Sequence, residues 1–501
     1  MKSSTDIGVK FNYQSGVDLK TEMLAIKKKG ASFIRVEVNW HYSEPKYENY
    51  DFTKTLEIIK VAEELNLKIE IAVRMDSPPS WLLIEAGLTS LKISPYSSDQ
   101  SEMICWENPV ILKTAERFLK GLLKQIGKSP AISNWVVLSS KGLWETGMPM
   151  ADLMFCECKH TLEAFRDWLK SKYKTLNQLN SEYNQNFADW NHILPNACAN
   201  PIATDWFRFY FSRRKFAQDF FCEIIRKFDK DSRPVTKSNE ITTSKTLVKD
   251  VFVDLAISKS LSTAANYWIA ELPSVTQEGA AYAALALGAS KLLFPELPPV
   301  NVVNFMKSSD QFIVKSEPEV HDVAILLNLD SIVLANQEAL VNFVQKSTHE
   351  LLSSLVDQGV FPEILFDISD TDLSQFKLIF LPAPLSNSPT QESKLGEFVS
   401  NGGTLISESK INPVFLVNIL DSASVKNFDL KVIVRSLLSE EYWVVFAFNK
   451  ENKTSKFALD ETQGFELVDS FGCQINTETY KVTIEANSAG CIIFKTSEVK
   501  E

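Results

Sequence analysis

The stretch from Phe33 to Arg74 reads FIRVEVNWHYSEPKYENYDFTKTLEIIKVAEELNLKIEIAVR and contains one complete strand–helix–strand pattern. Its first and last segments, Phe33–Val38 and Ile69–Arg74, are short apolar runs, which are typical of buried strands. Between them, Phe52–Leu65 repeats apolar residues at helical spacing. A strand, a helix and a second strand in this order predict a parallel β-α-β unit.

The same alternation continues over the first 306 residues and predicts eight strands. Eight strands that alternate with helices predict an α/β fold, a (β/α)8 TIM-type barrel spanning residues 1–306. Residues 257–266 leave no room for a full crossover helix, so we expect the barrel to be irregular near strand six. The predicted strands are Gly8–Tyr13, Phe33–Val38, Ile69–Arg74, Ser133–Leu138, Pro234–Ser238, Val251–Ala256, Tyr267–Ala270 and Lys291–Phe294.

Two smaller domains are predicted after the barrel. Residues 307–320 (KSSDQFIVKSEPEV) have the composition of a polar linker. Residues 320–412 again alternate strands with helices, which predicts a small doubly wound α/β domain. Residues 425–501 contain short alternating runs separated by turns, which predicts a small antiparallel β domain.

Composition narrows the class of protein. The 501-residue chain is 45% hydrophobic and 23% charged, which excludes disorder as its main state. Its net charge of −11, without basic blocks, argues against a nucleic-acid partner. No apolar run has the length of a signal peptide or of a membrane span, so we expect a cytoplasmic protein with no membrane partner. The seven cysteines are therefore expected to be reduced.

Polar and aromatic side chains follow several of the predicted barrel strands, and TIM barrels carry their chemistry at the carboxyl ends of the strands. Aromatic rings stack on the apolar faces of sugars, while arginine, asparagine and carboxylate groups bind hydroxyls. The pattern therefore predicts a carbohydrate ligand, although the tryptophans could instead close the top of the barrel. The candidate residues are Arg35, Asn39, Trp40, Trp81, Trp135, Tyr267 and Glu271.

Five further stretches share the motifs of one family: Trp40…Glu44-Pro45…Tyr50-Asp51-Phe52, Pro78-Pro79-Ser80-Trp81, Cys156–Asn180, Asp205–Phe209 and Pro234–Asn239. They resemble family 42 glycoside hydrolases of the β-galactosidase type, whose corresponding segments include W-S-R-L-E-P…Y-D-F and P-P-A-W. The resemblance implies a barrel, a flavodoxin-like trimerisation domain and a small β domain, which is the order already predicted. It also implies a homo-oligomer, in particular a trimer, and adds Asn239 to the sugar-binding residues.

The resemblance implies a retaining mechanism with two carboxylates, one a nucleophile and one a general acid/base. Glu271 matches the nucleophile, although a glutamate at a strand end can also be merely solvated. The acid/base belongs to an Asn-Glu pair that closes the fourth strand, where this chain has Ser139-Ser140. A serine at Ser140 has no titratable proton near neutral pH, so Glu145 or Glu240 would have to replace the acid.

Two functions therefore stay open. In the first, the protein is an active retaining β-glycosidase with a relocated acid/base, or one specialised for leaving groups that need no proton. In the second, it is a pseudoenzyme that binds a glycan or a protein partner without turning it over.

A structural zinc site is also implied by the resemblance, and no cofactor is expected for catalysis. Some family members bind zinc through four cysteines, and Cys105, Cys156 and Cys158 match three of them. Thr161 occupies the fourth position, and the neighbouring His160 would complete a Cys3His tetrahedron. The alternative is a set of ordinary reduced thiols beside a surface histidine.

Overall fold

The structure is a computed structural model of the chain and divides into two compact units. The first unit comprises Met1–Arg35, Ile241–Asn328 and Lys346–Glu501, and the second comprises Val36–Glu240 and Leu329–Gln345. The structure describes residues 6–496 except 14–17, 76–77, 87–88, 93–99, 104, 140–154, 196–200, 240–250, 252, 257–258, 260–267, 275–276, 316, 319–321, 328–337, 366–367, 369–370, 383–388, 408–412, 424–431, 440, 451–452, 460–464 and 487.

The strands are β1 (Asp6–Lys10), β2 (Phe33–Asn39), β3 (Lys68–Arg74), β4 (Thr89–Lys92), β5 (Gln100–Met103), β6 (Ile132–Ser139), β7 (Phe155–Cys156), β8 (Val235–Asn239), β9 (Ile269–Glu271), β10 (Lys291–Phe294), β11 (Glu317–Pro318), β12 (Val323–Leu326), β13 (Glu363–Leu365), β14 (Leu378–Phe380), β15 (Thr404–Ile406), β16 (Val432–Leu438), β17 (Tyr442–Asn449), β18 (Ser455–Ala458), β19 (Phe465–Phe471), β20 (Gln474–Asn476), β21 (Lys481–Ile484) and β22 (Ala489–Thr496).

The helices are α1 (Leu19–Lys28), α2 (Trp40–Ser43), α3 (Thr53–Leu65), α4 (Ser80–Ala86), α5 (Pro109–Ile126), α6 (Lys159–Tyr173), α7 (Leu176–Tyr183), α8 (Pro201–Phe228), α9 (Gln277–Ala286), α10 (Val300–Lys315), α11 (Glu338–Asp357), α12 (Pro389–Ser400) and α13 (Pro413–Ser422). Within the described part of the chain, no helix combines the length and the apolar character that a membrane span requires.

A seven-stranded parallel sheet forms the TIM-type barrel, as the alternation of strands and helices predicted. The first unit holds β1, β9, β10 and the start of β2, and the second unit holds the rest of β2 with β3, β6 and β8. The hydrogen-bonded order is β8-β6-β3-β2-β1-β10-β9. Helices such as α1, α3 and α5 connect successive strands, which is the β-α-β pattern expected of this fold.

The predicted sixth strand, Val251–Ala256, is wrong. Residue 251 and residues 253–256 are helical, and no strand stands between β8 and β9 in the described residues. Val251, Val253 and Leu255 are all buried. A short alternation of this kind does not distinguish a strand from a buried helix, because both bury apolar residues over so few positions. The expectation of an irregular barrel rested on residues 257–266, most of which lie outside the described residues.

Close packing between β1 and β2 depends on Gly8. A Cβ atom added at Gly8 would lie 2.1 Å from the ring of Phe33, which is its register partner on β2. The Phe33 ring fills the space that a side chain on β1 would need, and the ammonium of Lys291 lies 4.7 Å from the centroid of that ring. Glycine is therefore required at position 8 for the two strands to keep this register.

A four-stranded parallel sheet in the order β13-β12-β14-β15 forms the flavodoxin-like domain. The first strand of this domain in the chain, β12, lies between the second, β13, and the third, β14. This order is that of a doubly wound sheet. The predicted linker over 307–320 is wrong in its first part, because residues 307–315 complete α10. Phe312 and Ile313 are buried in that helix, and the Phe312 ring packs 4.7 Å from the ring of Tyr442. These apolar contacts stabilise the helix, although the polar residues around them gave the segment the composition of a linker.

Two antiparallel sheets form the carboxyl-terminal domain, in the orders β11-β16-β17-β22-β19 and β18-β21-β20. Their inner faces share one apolar core, which is the arrangement of a β-sandwich. The residues of this core are Val445, Ala447, Phe457, Leu459, Val482, Ile484, Ile492 and Phe494.

Candidate active site

Glu271 ends β9 and has its side chain almost completely buried. The guanidinium of Arg35 donates through Nη1 to Oε1 of Glu271, and this arginine side chain is only 1% exposed. The ammonium of Lys10 lies 2.8 Å from Oε2 of the same carboxylate, and its side chain is 26% exposed. Two cations therefore compensate the charge of a buried carboxylate at the carboxyl end of the barrel strands.

The register of the strands explains why these three side chains meet. Leu293 pairs with both Gly8 and Glu271, while Lys10, two residues after Gly8, pairs with Arg35. Side chains alternate between the faces of a sheet with a period of two, so Lys10, Arg35 and Glu271 share a face. The carboxylate is thus fixed by residues from β1 and β2 that are more than 230 positions away in the chain.

In the second unit, Glu44 organises the residues that follow β2. It is fully buried, and its carboxylate accepts a hydrogen bond of 2.9 Å from Nε1 of Trp40 and another of 2.9 Å from the backbone N–H of Glu48. The backbone carbonyl of Glu44 accepts a 2.9 Å hydrogen bond from Nε1 of Trp81. Trp40 is completely buried and Trp81 is half-buried, so Trp81 has the more accessible ring for stacking against a sugar.

Arg117, on α5, secures this arrangement. Its Nη2 donates to Oε1 of Glu44, and its guanidinium carbon lies 4.0 Å from the ring centroid of Tyr47 and 5.5 Å from that of Trp81. The Tyr47 and Trp81 rings meet edge to face at 5.3 Å. One arginine therefore compensates the buried charge of Glu44 and packs against the rings of Tyr47 and Trp81.

Replacing Arg117 by methionine is expected to lower the free energy of unfolding by about 2–3 kcal/mol, because the variant leaves the Glu44 carboxylate buried without its cation. Urea unfolding followed by tryptophan fluorescence measures the change. Lys124→Met, at an exposed position on the same helix, is the matched control and should stay within about 0.5 kcal/mol of the parent. Equal losses in the two variants would show that Arg117 does not hold Glu44.

Other predicted site residues have structural partners. The Asn39 side chain accepts a 2.9 Å hydrogen bond from the backbone N–H of His41 and so caps α2. Trp135 is completely buried, and its Nε1 lies 3.2 Å from Oδ2 of Asp229. Trp135 is therefore packed inside the protein and hydrogen-bonded to Asp229.

The expected acid/base position lies at the carboxyl end of β6. There the backbone of Ser139 pairs with that of Asn239 on β8, so both residues stand at the same edge of the sheet. Their side chains lie outside the described residues. Four further predicted site residues also lie outside them: Ser140, Glu145, Glu240 and Tyr267.

Comparison with known proteins assigns the chain to a family. The sequence profile of glycoside hydrolase family 42, described as Beta-galactosidase, matches residues 14–282, which is more than half of the chain. This chain belongs to glycoside hydrolase family 42. The match includes the strands that carry Arg35 and Glu271.

Individual relatives in family 42 are distant. Beta-galactosidase BgaA of Clostridium cellulovorans is 24% identical over 217 residues, covering 40% of this chain and 31% of that protein. The chain therefore aligns with less than a third of the length of the curated relatives. Beta-galactosidase structures from Bacillus circulans sp. alkalophilus (TM-score 0.75, 15% identity, 99% of both chains) and Rahnella sp. R3 (0.74, 13%, 98% of both) share its fold.

Sequence reasoning missed two charged residues of this family 42 chain: Lys10, which contacts Glu271, and Arg117, which contacts Glu44. Lys10 ends β1, and its basic side chain is visible in the sequence. Its contact with Glu271, however, depends on the pairing of β1 with β10. Arg117 lies within an ordinary amphipathic helix, where a basic residue gives no sign of a buried partner. Glu44 was noted only as part of a motif, and its role depends on tertiary contacts.

The zinc set implied by the resemblance to family 42 lies only partly within the described residues. Sγ of Cys105 lies 3.5 Å from Sγ of Cys158, and Oγ1 of Thr161 lies 3.1 Å from the former and 3.6 Å from the latter. In the described part of the chain, no three histidine, cysteine or acidic side chains are grouped to hold a metal ion. The side chain of Cys156 lies outside that part. Thr161, whose neutral hydroxyl is not a usual zinc ligand, lies beside both sulfurs.

Proposed function

We propose that this protein forms a covalent glycosyl ester at Glu271 and so acts as a retaining glycosidase on β-galactoside-like substrates. The observation that carries the proposal is the buried Glu271 carboxylate at the end of β9, held by Arg35 and Lys10. A nucleophile of this kind must be ionised and correctly oriented, and the two cations favour both conditions. The galactoside class rests on the names of the relatives, which are β-galactosidases.

In the first step, an oxygen of Glu271 bonds to the anomeric carbon while the bond from that carbon to the leaving oxygen breaks. The electron pair of the broken bond goes to the leaving group. Arg35 remains paired with the carboxylate and limits its rotation.

The proposed mechanism differs from the usual retaining mechanism in how the leaving group is protonated. Ser140 replaces the expected acid/base and cannot donate a proton near neutral pH. Glu145 and Glu240 are the proposed substitutes. If neither serves, the enzyme is restricted to substrates whose leaving group departs as an anion. The proposal also includes a homotrimer, based on the flavodoxin-like domain, and a cytoplasmic location.

The test is to incubate the full-length protein with activated 2-deoxy-2-fluoro glycosides, beginning with the galactoside, and to record its intact mass. These reagents need no general acid, so they examine the nucleophile alone. The expected result is one stable adduct per chain that maps to Glu271. Glu271→Gln should form no adduct, whereas Glu278→Gln, on α9, should react as the parent does.

The second candidate function is that of a glycan- or protein-binding pseudoenzyme, which the Ser139-Ser140 sequence favours. It predicts saturable sugar binding with no adduct and no turnover. Failure of every fluoroglycoside in the panel to label a folded sample would therefore support this candidate and contradict the first.

A further inference from the structure

Two cysteine sulfurs face each other in the second unit. Sγ of Cys105, before α5, lies 3.5 Å from Sγ of Cys158, immediately before α6. Cys105 is 4% exposed, whereas Cys158 is partly exposed. The two sulfurs are thus in contact, and one of them can be reached from solvent.

The described neighbours of the sulfur pair include one hydroxyl and an apolar cluster. Oγ1 of the buried Thr161 lies 3.1 Å from Sγ of Cys105 and 3.6 Å from Sγ of Cys158. Cys105 belongs to the apolar cluster that includes Phe165 and Leu169, and Cys158 packs against that cluster. Such surroundings suit a neutral disulfide at least as well as two thiols.

We infer that Cys105 and Cys158 form a reversible disulfide when the protein meets an oxidising thiol pool. Bond formation needs the sulfurs to approach from 3.5 Å to about 2.05 Å. Cys158 is the N-cap residue of α6, and its side chain makes no capping hydrogen bond. Its sulfur can therefore turn toward Cys105 without costing the helix a hydrogen bond.

The reaction is a thiol–disulfide exchange with a low-molecular-weight disulfide such as oxidised glutathione. Cys158, the accessible thiol, first attacks the glutathione disulfide, so that a mixed disulfide forms and one glutathione leaves. Cys105 then attacks the Cys158 sulfur and displaces the second glutathione. The protein loses two protons and two electrons, and the two released glutathione molecules take them up.

The new bond would join residues 53 positions apart and tie the segment before α5 to the start of α6. A disulfide stabilises mainly by restricting the unfolded chain, so oxidation should raise the Tm by about 2–5 °C. The inference does not rest on glycosidase activity, because it concerns neither Glu271 nor its partners.

The chain provides an internal control in the carboxyl-terminal domain. Sγ of Cys473 lies 3.8 Å from the backbone carbonyl of Cys491, so these two cysteines are also neighbours. Burial raises the pKa of the Cys473 thiol to about 11 and raises the pKa of the Cys491 thiol well above its ordinary value. Both thiols therefore stay protonated and are expected to remain reduced under the same treatment.

The experiment treats the full-length protein with oxidised glutathione at pH 8, followed by intact mass measurement and non-reducing peptide mapping. The expected result is a loss of 2 Da, a cross-linked peptide pair containing Cys105 and Cys158, and reversal by dithiothreitol. Cys158→Ser should lose the cross-link, and Cys222→Ser should keep it. Zinc in the untreated protein is measured in parallel by elemental analysis.

Three outcomes would overturn the inference. The first is a folded parent protein that shows no mass loss at any glutathione ratio. The second is a cross-link in which Cys156 replaces either partner. The third is one tightly bound zinc per chain that blocks oxidation until a chelator removes it, since zinc and the disulfide would use the same sulfurs.

Discussion

Turnover of a dinitrophenyl galactoside is expected to rise by about 10²–10³-fold when azide is added, if neither Glu145 nor Glu240 replaces the missing acid/base, and the product should be the β-galactosyl azide. The reason lies in the second half of the proposed reaction. Water can release the sugar from Glu271 only if a base removes its proton, and Ser140 is a poor base. Azide forms its bond to the anomeric carbon while the bond to Glu271 breaks, and no proton needs to move.

Ser140→Glu is the matched variant for this prediction. It returns a carboxyl group to the expected acid/base position, so it should speed hydrolysis of ordinary galactosides and abolish the effect of azide. Substrate preference supplies a second measurement, because the parent should favour the dinitrophenyl galactoside over a disaccharide by about 10²–10⁴-fold.

A parent protein that hydrolyses both substrates equally well, without a response to azide, would contradict the expectation. Its acid/base would then be another carboxylate. Glu145→Gln and Glu240→Gln, measured against the same two substrates, would identify which one acts.

Asp205→Ala is expected to lower the free energy of unfolding by about 3–5 kcal/mol. Asp205, on α8, is 1% exposed and accepts hydrogen bonds of 2.7 Å from the hydroxyls of both Tyr173 and Tyr183. Its Oδ1 lies 2.5 Å from Nζ of Lys172. Alanine would leave two largely buried hydroxyls without their acceptor and would open a cavity between α6, α7 and α8.

The two tyrosines remain donors at any physiological pH. Burial, together with the negative charge of Asp205, raises the pKa of each hydroxyl above its ordinary value. Protonated hydroxyls keep both hydrogen bonds, so the loss on substitution should not vary between about pH 6 and pH 9.

Urea unfolding followed by tryptophan fluorescence tests the prediction. Asp167→Ala is the control, because Asp167 is a 73% exposed carboxylate on α6 that pairs with Lys170 at 2.8 Å. Its loss should cost less than about 1 kcal/mol. Asp205→Asn keeps one acceptor oxygen and should fall between the two alanine variants. An Asp205→Ala protein as stable as the control would show that these hydrogen bonds contribute nothing.

Much of the fold was predictable because strand and helix periods are local properties. Strands β1, β2, β3, β6, β8, β9 and β10 lie where apolar runs indicated them. The failures occurred where tertiary packing decided the outcome. Val251–Ala256 alternates like a strand but is helical where described, and residues 307–315 read as polar yet belong to a helix that buries Phe312. The tertiary packing that makes these two segments helical cannot be seen in a local window of sequence.

The site was less predictable than the fold. Arg35 and Glu271 were chosen separately because they end strands, and the structure brings them into contact. Lys10 could not be assigned a partner without knowing that β10 lies between β1 and β9. Glu44 depends on Arg117, which lies 73 positions away on a helix of ordinary appearance. Contacts of this kind follow from sheet order and helix packing, which no single motif records.

The position of β9 in the sheet bears on how this site can change during evolution. Strand β9 stands at one end of the described order, and its register is set by β10, where Glu271 pairs with Leu293. In the described residues β9 pairs only with β10, so changes in the chain before β9 need not alter the register that holds the carboxylate. A lineage, or a protein engineer, can thus remodel this rim for a new sugar while inheriting the nucleophile in place.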